Sequence, residues 1–84
     1  MKLPVIKSLA SNTKISIKDI NIAINILETI GMSRGISKQE LNVIGEILSN
    51  LEGSKIVIEE HRHYGKPLRE SLNKFMQRVI NSVK

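Results

Sequence analysis

Ser16-Ile17-Lys18-Asp19-Ile20-Asn21-Ile22-Ala23-Ile24-Asn25-Ile26-Leu27-Glu28-Thr29-Ile30-Gly31 carries two periodicities at once, and the fold class turns on which one wins. With period two, Ile20, Ile22, Ile24 and Ile26 line one face of a strand, Asn21, Ala23 and Asn25 line the other, and isoleucine favours strands. With helical spacing, Ile20, Ala23, Ile24, Leu27 and Ile30 form a single stripe. The two ends favour the helix. Ser16 is a good N-cap, Asp19 places negative charge in the first turn, and Gly31 suits a helix stop. The helix so predicted, about 17–30, has an unusually wide apolar arc, because Ile22 and Ile26 fall beside the main stripe. Two neighbours are needed to cover it.

The same signals recur downstream. Ser37-Lys38-Gln39-Glu40 reads as a capping box, in which serine and glutamate each satisfy a backbone amide of the other. Leu41, Ile44, Leu48 and Leu51 follow as a stripe that Ile47 widens. Gly45 lies beside that stripe, where glycine costs about 1 kcal/mol against alanine, so close approach by another helix is expected there. This helix covers 38–52 and either stops at Gly53 or continues, bent, through Ile56 and Ile58 to residue 64 with Gly65 as the stop. Continuation is favoured, since two residues hardly suffice to reverse the chain. Pro67 suits the first position of a last helix over 67–83. Its apolar face is Leu68, Leu72, Phe75, Met76, Val79 and Val83, and its polar face is Arg69, Asn73, Lys74, Gln77, Arg78 and Asn81. Leu72, Phe75, Met76 and Val79 are expected to pack against Leu41, Ile44 and Leu48. At the other end, Pro4 interrupts Met1–Ile6, which reads as an extended arm over 1–7, followed by a loop or weak turn. The expected fold is all-α: one domain over 1–84, a small bundle of three to four helices with an extended N-terminal arm.

Eighty-four residues make a thin core. A chain this short buries only about 60% of its unfolded surface. No cysteine staples it, and Phe75 and Tyr64 are the only aromatics, so fourteen isoleucines dominate. A core of this kind gains from a protein partner or from self-association. Lys7 ends the first apolar run too early for a signal peptide, and no segment approaches the roughly 20 apolar residues of a membrane span. The expectation is a cytoplasmic protein, or a particle component assembled in the cytoplasm, without a membrane partner.

The net charge of +5 is uneven. Residues 1–52 hold six Lys/Arg and five Asp/Glu, whereas 53–84 hold seven Lys/Arg and three Glu. Arg62, Lys66, Arg69, Lys74 and Arg78 are therefore the candidates for contact with an anionic partner such as nucleic acid, against the plainer reading of a solvated basic face. Base stacking is disfavoured with two aromatics. A helix-turn-helix over 38–52, Gly53-Ser54 and 55–64 has the right order, but Lys55-Ile56-Val57-Ile58 is too apolar for the start of a recognition helix.

Chemistry finds little support. Glu59-Glu60-His61-Arg62-His63 is the one cluster of ligand-type residues, and on a helix His61 and His63 point apart, leaving Glu59 with His63 as a two-ligand pair that closes no site. There is no Gly-x-Ser-x-Gly turn. Gly65-Lys66 lacks the upstream glycine of a phosphate loop, with Glu60 in its place and Pro67 where Ser or Thr would bind magnesium. No catalytic residue, metal, cofactor or small-molecule substrate is expected, and the chain reads as a non-enzyme.

Three blocks, Met1-Lys2-Leu3-Pro4-Val5-Ile6, Glu40 to Asn50 (ELNVIGEILSN) and Gly65 to Val79 (GKPLRESLNKFMQRV), together resemble a family of short uncharacterised helical proteins associated with Bacteroidetes-type bacteria. They cover about 40% of the chain, in the same order, and none is a mechanistic motif. The resemblance implies a helical fold and no known activity. The chain departs from the family in being basic rather than acidic, and its richness in Ile, Lys and Asn also suits a phage-borne relative. The function expected is a non-enzymatic interaction or structural subunit of a larger protein assembly, a virion component being one concrete version. The alternative is a nucleic-acid-associated accessory protein, including a small ribonucleoprotein subunit, using the basic C-terminal helix.

Overall fold

Capping decides the ambiguous segment. Ser16 Oγ accepts from the Asp19 N–H at 3.1 Å while the Asp19 carboxylate accepts from the Ser16 N–H at 2.9 Å. Ser37 and Glu40 repeat the exchange at 3.1 Å in both directions. Each box satisfies two donors that a helix start otherwise leaves open, and losing such a serine costs about 1 kcal/mol. The bonds to Ser16 and to Ser37, backbone first and side chain second, hold the Asp19 and Glu40 carboxyls below their ordinary pKa.

The computed structural model describes residues 2–82, with side chains up to residue 78. Among them run α1 (Leu3–Ser11), α2 (Ile17–Gly31), α3 (Lys38–Ile58), a π-helical turn (Glu59–His63) and α4 (Leu68–Ser82), with no strand. The period-two reading of Ile20–Ile26 is thereby excluded.

The expected extended arm over 1–7 is instead the start of α1. Pro4 sits in the first turn, where its missing N–H would have had no intrahelical partner, so it does not oppose the helix. Ile6 and Ala10, four apart, are both buried, with Leu3 and Leu9 packed beside them. The Lys2 N–H donates to Asn50 Oδ1 at 2.7 Å and ties the start of α1 to the middle of α3.

Helix α3 passes through Gly53 and Ser54 without a break, so the turn of a helix-turn-helix is absent. It then widens into the π-helical turn, and the chain reverses at Gly65, whose φ of +66° is in the left-handed region glycine tolerates. The close approach expected at Gly45 occurs at Gly53. A Cβ on Gly53 would lie 2.9 Å from both Ile6 Cδ1 and Phe75 Cζ, whereas one on Gly45 would meet nothing within 4 Å.

Gly53 marks the centre of the core, which consists of Ile6 and Ala10 from α1, Ile20 and Ile24 from α2, Leu51, Val57 and Ile58 from α3, and Leu72 and Phe75 from α4. Ser54 is wholly buried and donates to the Asn50 carbonyl at 2.7 Å. Leu72 and Phe75 are buried as the sequence predicts, but their partners are not Leu41 and Ile44. With Phe75 seated at Gly53, Leu41 lies twelve residues further along α3, about 18 Å away. Leu48 packs against the edge of the core, Ile44 is half-buried and Leu41 is 48% exposed. Met76 is half-buried, and Val79, also expected in this contact, lies outside the described side chains, as does Val83 of the same apolar face.

The result is an elongated plate. A compact chain of this length has a radius of gyration of about 12 Å; this one measures 13.8 Å, with extents of 43 × 34 × 16 Å. Helix α2 packs chiefly on α3, and α4 packs on α3 and α1. The α2–α3 hairpin therefore leaves its tip uncovered.

Candidate functional site

The five basic residues singled out in the sequence separate into three environments. Arg62, on the π-helical turn, reaches back to the end of α1 and the loop behind it. Its guanidinium donates to the carbonyls of Ile15, of Asn12 at 2.8 Å and of Ala10 at 3.3 Å. The Ala10 carbonyl is one of those the last turn of α1 leaves open, the Asn12 carbonyl also accepts from the Ile15 N–H at 3.1 Å, and the planar fork of arginine suits several acceptors at once. Arg62 thus stitches the loop between α1 and α2 to the core.

Lys66, Lys74 and Arg78 converge on one carboxylate. Glu60, whose side chain is only 15% exposed, has Arg78 Nη2 at 3.3 Å, Lys66 Nζ at 3.5 Å and Lys74 Nζ at 3.9 Å. The two lysines compete there. The proximity of the Lys74 amine raises Lys66 above its ordinary pKa, burial opposing and Glu60 assisting. Lys74 is correspondingly lowered, first by Lys66, with Glu60 pulling the other way. Three cations on one anion leave an excess of two charges. The group also fastens α4 to the turn before it, through exposed and screened contacts. Arg69 points away from this cluster, beside Lys7 and Leu72 at the junction of α1 and α4. The structure brings together three of the five predicted residues.

His61 Nδ1 lies 2.6 Å from the Lys66 carbonyl, and since a carbonyl only accepts, Nδ1 carries the hydrogen. No group of three or more His, Cys, Asp or Glu side chains able to hold a metal occurs among the described residues. Nor is any described helix long and apolar enough to cross a membrane.

Among the described residues, a group of exposed apolar side chains lies on the hairpin. On one side of it, Ile22, Ile26 and Ile30 of α2 and Val43 and Ile47 of α3 are exposed, Ile26 to 54% and Val43 to 59%. Ile30 and Val43 line a common groove with Ile36, so the two stripes form one surface. On the other side, Leu27, Met32, Leu41, Ile44 and Leu48 line a groove of about 660 Å³ with Gly45 at its edge. Met32 is 82% exposed. Sequence reasoning carried the signal for the first surface, since α2 has an apolar arc wider than one neighbour can cover, yet it named no residue there as a contact. One helix, α3, supplies most of the cover that two were needed to give.

A family model described as a family of unknown function, DUF6952, matches residues 1–84. No curated protein and no solved structure matches the chain.

Proposed function

The chain belongs to the DUF6952 family, whose function is unknown, and on that premise we propose that it is a non-enzymatic interaction subunit that joins a protein assembly through the α2–α3 hairpin. The observation that carries this reading is the aliphatic surface of the hairpin tip, left open on both sides by a bundle too small to cover it. Contiguous exposed apolar surface of several hundred Å² marks interaction sites on soluble proteins. A virion component is one concrete form of such a subunit, and a bacterial or phage source of Bacteroidetes type belongs to the same proposal. Recovery of the tagged chain from its native source, beside the variant Ile26→Glu with Val43→Glu, tests it. A protein partner retained by the parent and lost by the variant is the expected result. Equal recovery with both chains would exclude the hairpin as the contact.

Nucleic-acid association is the second reading, favoured by the excess positive charge around Glu60. Arg62 is committed to backbone carbonyls and Glu60 offsets one cation of the cluster. Each phosphate neutralised contributes about −0.9 to the slope of log affinity against log salt, so a slope of about −2 to −3 fits these residues and one near −5 does not. Arg69→Glu with Arg78→Glu should abolish such binding while leaving a hairpin-bound protein in place. Tight, salt-sensitive binding of RNA or DNA by the parent, lost in that variant, would rank this reading first.

A further inference from the structure

The hairpin surface also indicates its occupant. The register of the two helices follows from the contacts at their tip, where a Cβ on Gly31 would lie 3.4 Å from Leu41 Cδ1 and 3.8 Å from Ile44 Cγ2. The chain is antiparallel there, so Ile30 stands level with Val43, Ile26 with Ile47, and Ile22 one turn further toward the base. These five side chains form a short two-column ladder of β-branched residues. Such side chains have stiff, well-defined rotamers, and ordering them against a partner costs little entropy.

Area favours a second ladder as the cover. At these exposures the five residues present on the order of 450 Å² of apolar surface, so joining two copies removes about 900 Å² from water before any rim is counted. A specific interface buries about 1,200–2,000 Å² in total, and a polar rim around each ladder supplies the difference. Charge selects which parts of the two molecules meet. Residues 17–52 hold three Lys/Arg against five Asp/Glu, whereas the rest of the chain holds ten against three, so the body carries +7 and the hairpin −2. Two bodies repel strongly, two hairpins only weakly, and a hairpin is attracted toward a body. A two-fold antiparallel arrangement holds the two +7 bodies at opposite ends and brings each toward its partner's acidic hairpin, whereas a parallel one sets the two bodies side by side.

We propose that a second copy of this chain covers the Ile22–Ile26–Ile30 and Val43–Ile47 surface, giving an antiparallel two-fold dimer whose centre is a four-helix bundle of two hairpins. This rests on the reading of the hairpin as the contact surface and names its partner. The closed symmetric pair leaves both basic bodies at the outer ends, where the charges around Glu60 stay open to solvent, and the Leu41–Leu48 groove remains free on the opposite face of each hairpin.

Light scattering on the purified full chain after gel filtration, from micromolar to about 100 µM, tests the pairing. The parent should run as a dimer that dissociates on dilution, and Ile26→Glu with Val43→Glu should run as a helical monomer across the whole range. Arg69→Glu, at the junction of α1 and α4, should dimerise like the parent. The chain has no cysteine of its own, so a second measurement does not depend on the charged variant folding. Ile26→Cys should yield a covalent dimer on mild oxidation, and Arg69→Cys should not. A parent that stays monomeric at 100 µM, species that keep growing beyond two copies, or equal cross-linking from both positions would each overturn the proposal. A monomeric parent that still loses its native partner through the hairpin variant would sink the dimer and leave the interaction reading standing. A dimer that persists in that variant would refute this surface.

Discussion

Gly45→Ala and Gly53→Ala add the same methyl group to the same helix, eight residues apart, and should move stability in opposite directions. The common term is helix propensity, where alanine is favoured over glycine by about 0.8–1 kcal/mol in a helix interior. At Gly45 nothing lies within 4 Å of the new Cβ, so that term stands alone and Gly45→Ala should stabilise by nearly 1 kcal/mol. At Gly53 the new carbon would lie 2.9 Å from Ile6 Cδ1 and from Phe75 Cζ. Carbon atoms prefer separations of about 3.5–4.0 Å, so both neighbours must retreat by more than half an ångström. Ile6 is wholly buried and the ring of Phe75 nearly so; the tip of Ile6 can rotate, but a rigid ring must shift as a unit. Overpacking of this kind costs about 1–3 kcal/mol, which exceeds the propensity gain over most of that range. For a domain of this size 1 kcal/mol moves the melting temperature by about 4–8 °C. Thermal denaturation followed by circular dichroism, at one fixed chain concentration because the proposed pairing would make the midpoint concentration-dependent, should show Gly45→Ala melting above the parent and Gly53→Ala below it. If both variants rose by the same amount, the contact of α1 and α4 at Gly53 would be wrong, and with it the position of the core.

Phe75→Ala removes the largest side chain of the core and should cost about 3–5 kcal/mol, enough to unfold so small a domain; a midpoint within a degree or two of the parent would mean that the ring is not enclosed. Ser71 is buried with no hydrogen-bond partner for its hydroxyl, so Ser71→Ala should be neutral or stabilising by about 1 kcal/mol, and a clear loss in urea unfolding would reveal a partner. Arg62→Ala should destabilise by about 1–2 kcal/mol after allowance for solvent, because three carbonyls lose a charged donor, while any anion affinity stays unchanged. Asp19 and Glu40 have folded pKa values below their unfolded ones, so their stabilising contribution is complete above the ordinary carboxylate range and is lost as pH falls through the folded values. Melting at pH 7 and at successively lower pH should show that loss, and Ser37→Ala should make it smaller by removing the share of Glu40.

The helices themselves were legible in the residues because their determinants are local. A capping box spans four residues, and the competition between strand and helix for Ile20–Ile26 ends once Ser16 and Asp19 exchange hydrogen bonds. The cover that α2 lacks was legible for the same reason, since the width of an apolar arc is a property of one helix. Position along a helix is not local. The stripe of α3 looks equally good from Leu41 to Ile58, and only the reversal at Gly65, with the length of chain on either side, decides that α4 meets Gly53 rather than Gly45. Proline 4 misled because its cost depends on its place in the helix, and in the first turn there is none. The basic residues show the same division. Their number and sequence clustering sum to a cationic third of the chain, but whether each cation faces solvent, a carboxylate or a carbonyl depends on partners many residues away. Glu60 gathers Lys66, Lys74 and Arg78 across a turn, and Arg62 reaches carbonyls about fifty positions back, which only the packing of α1 against α3 brings within its range.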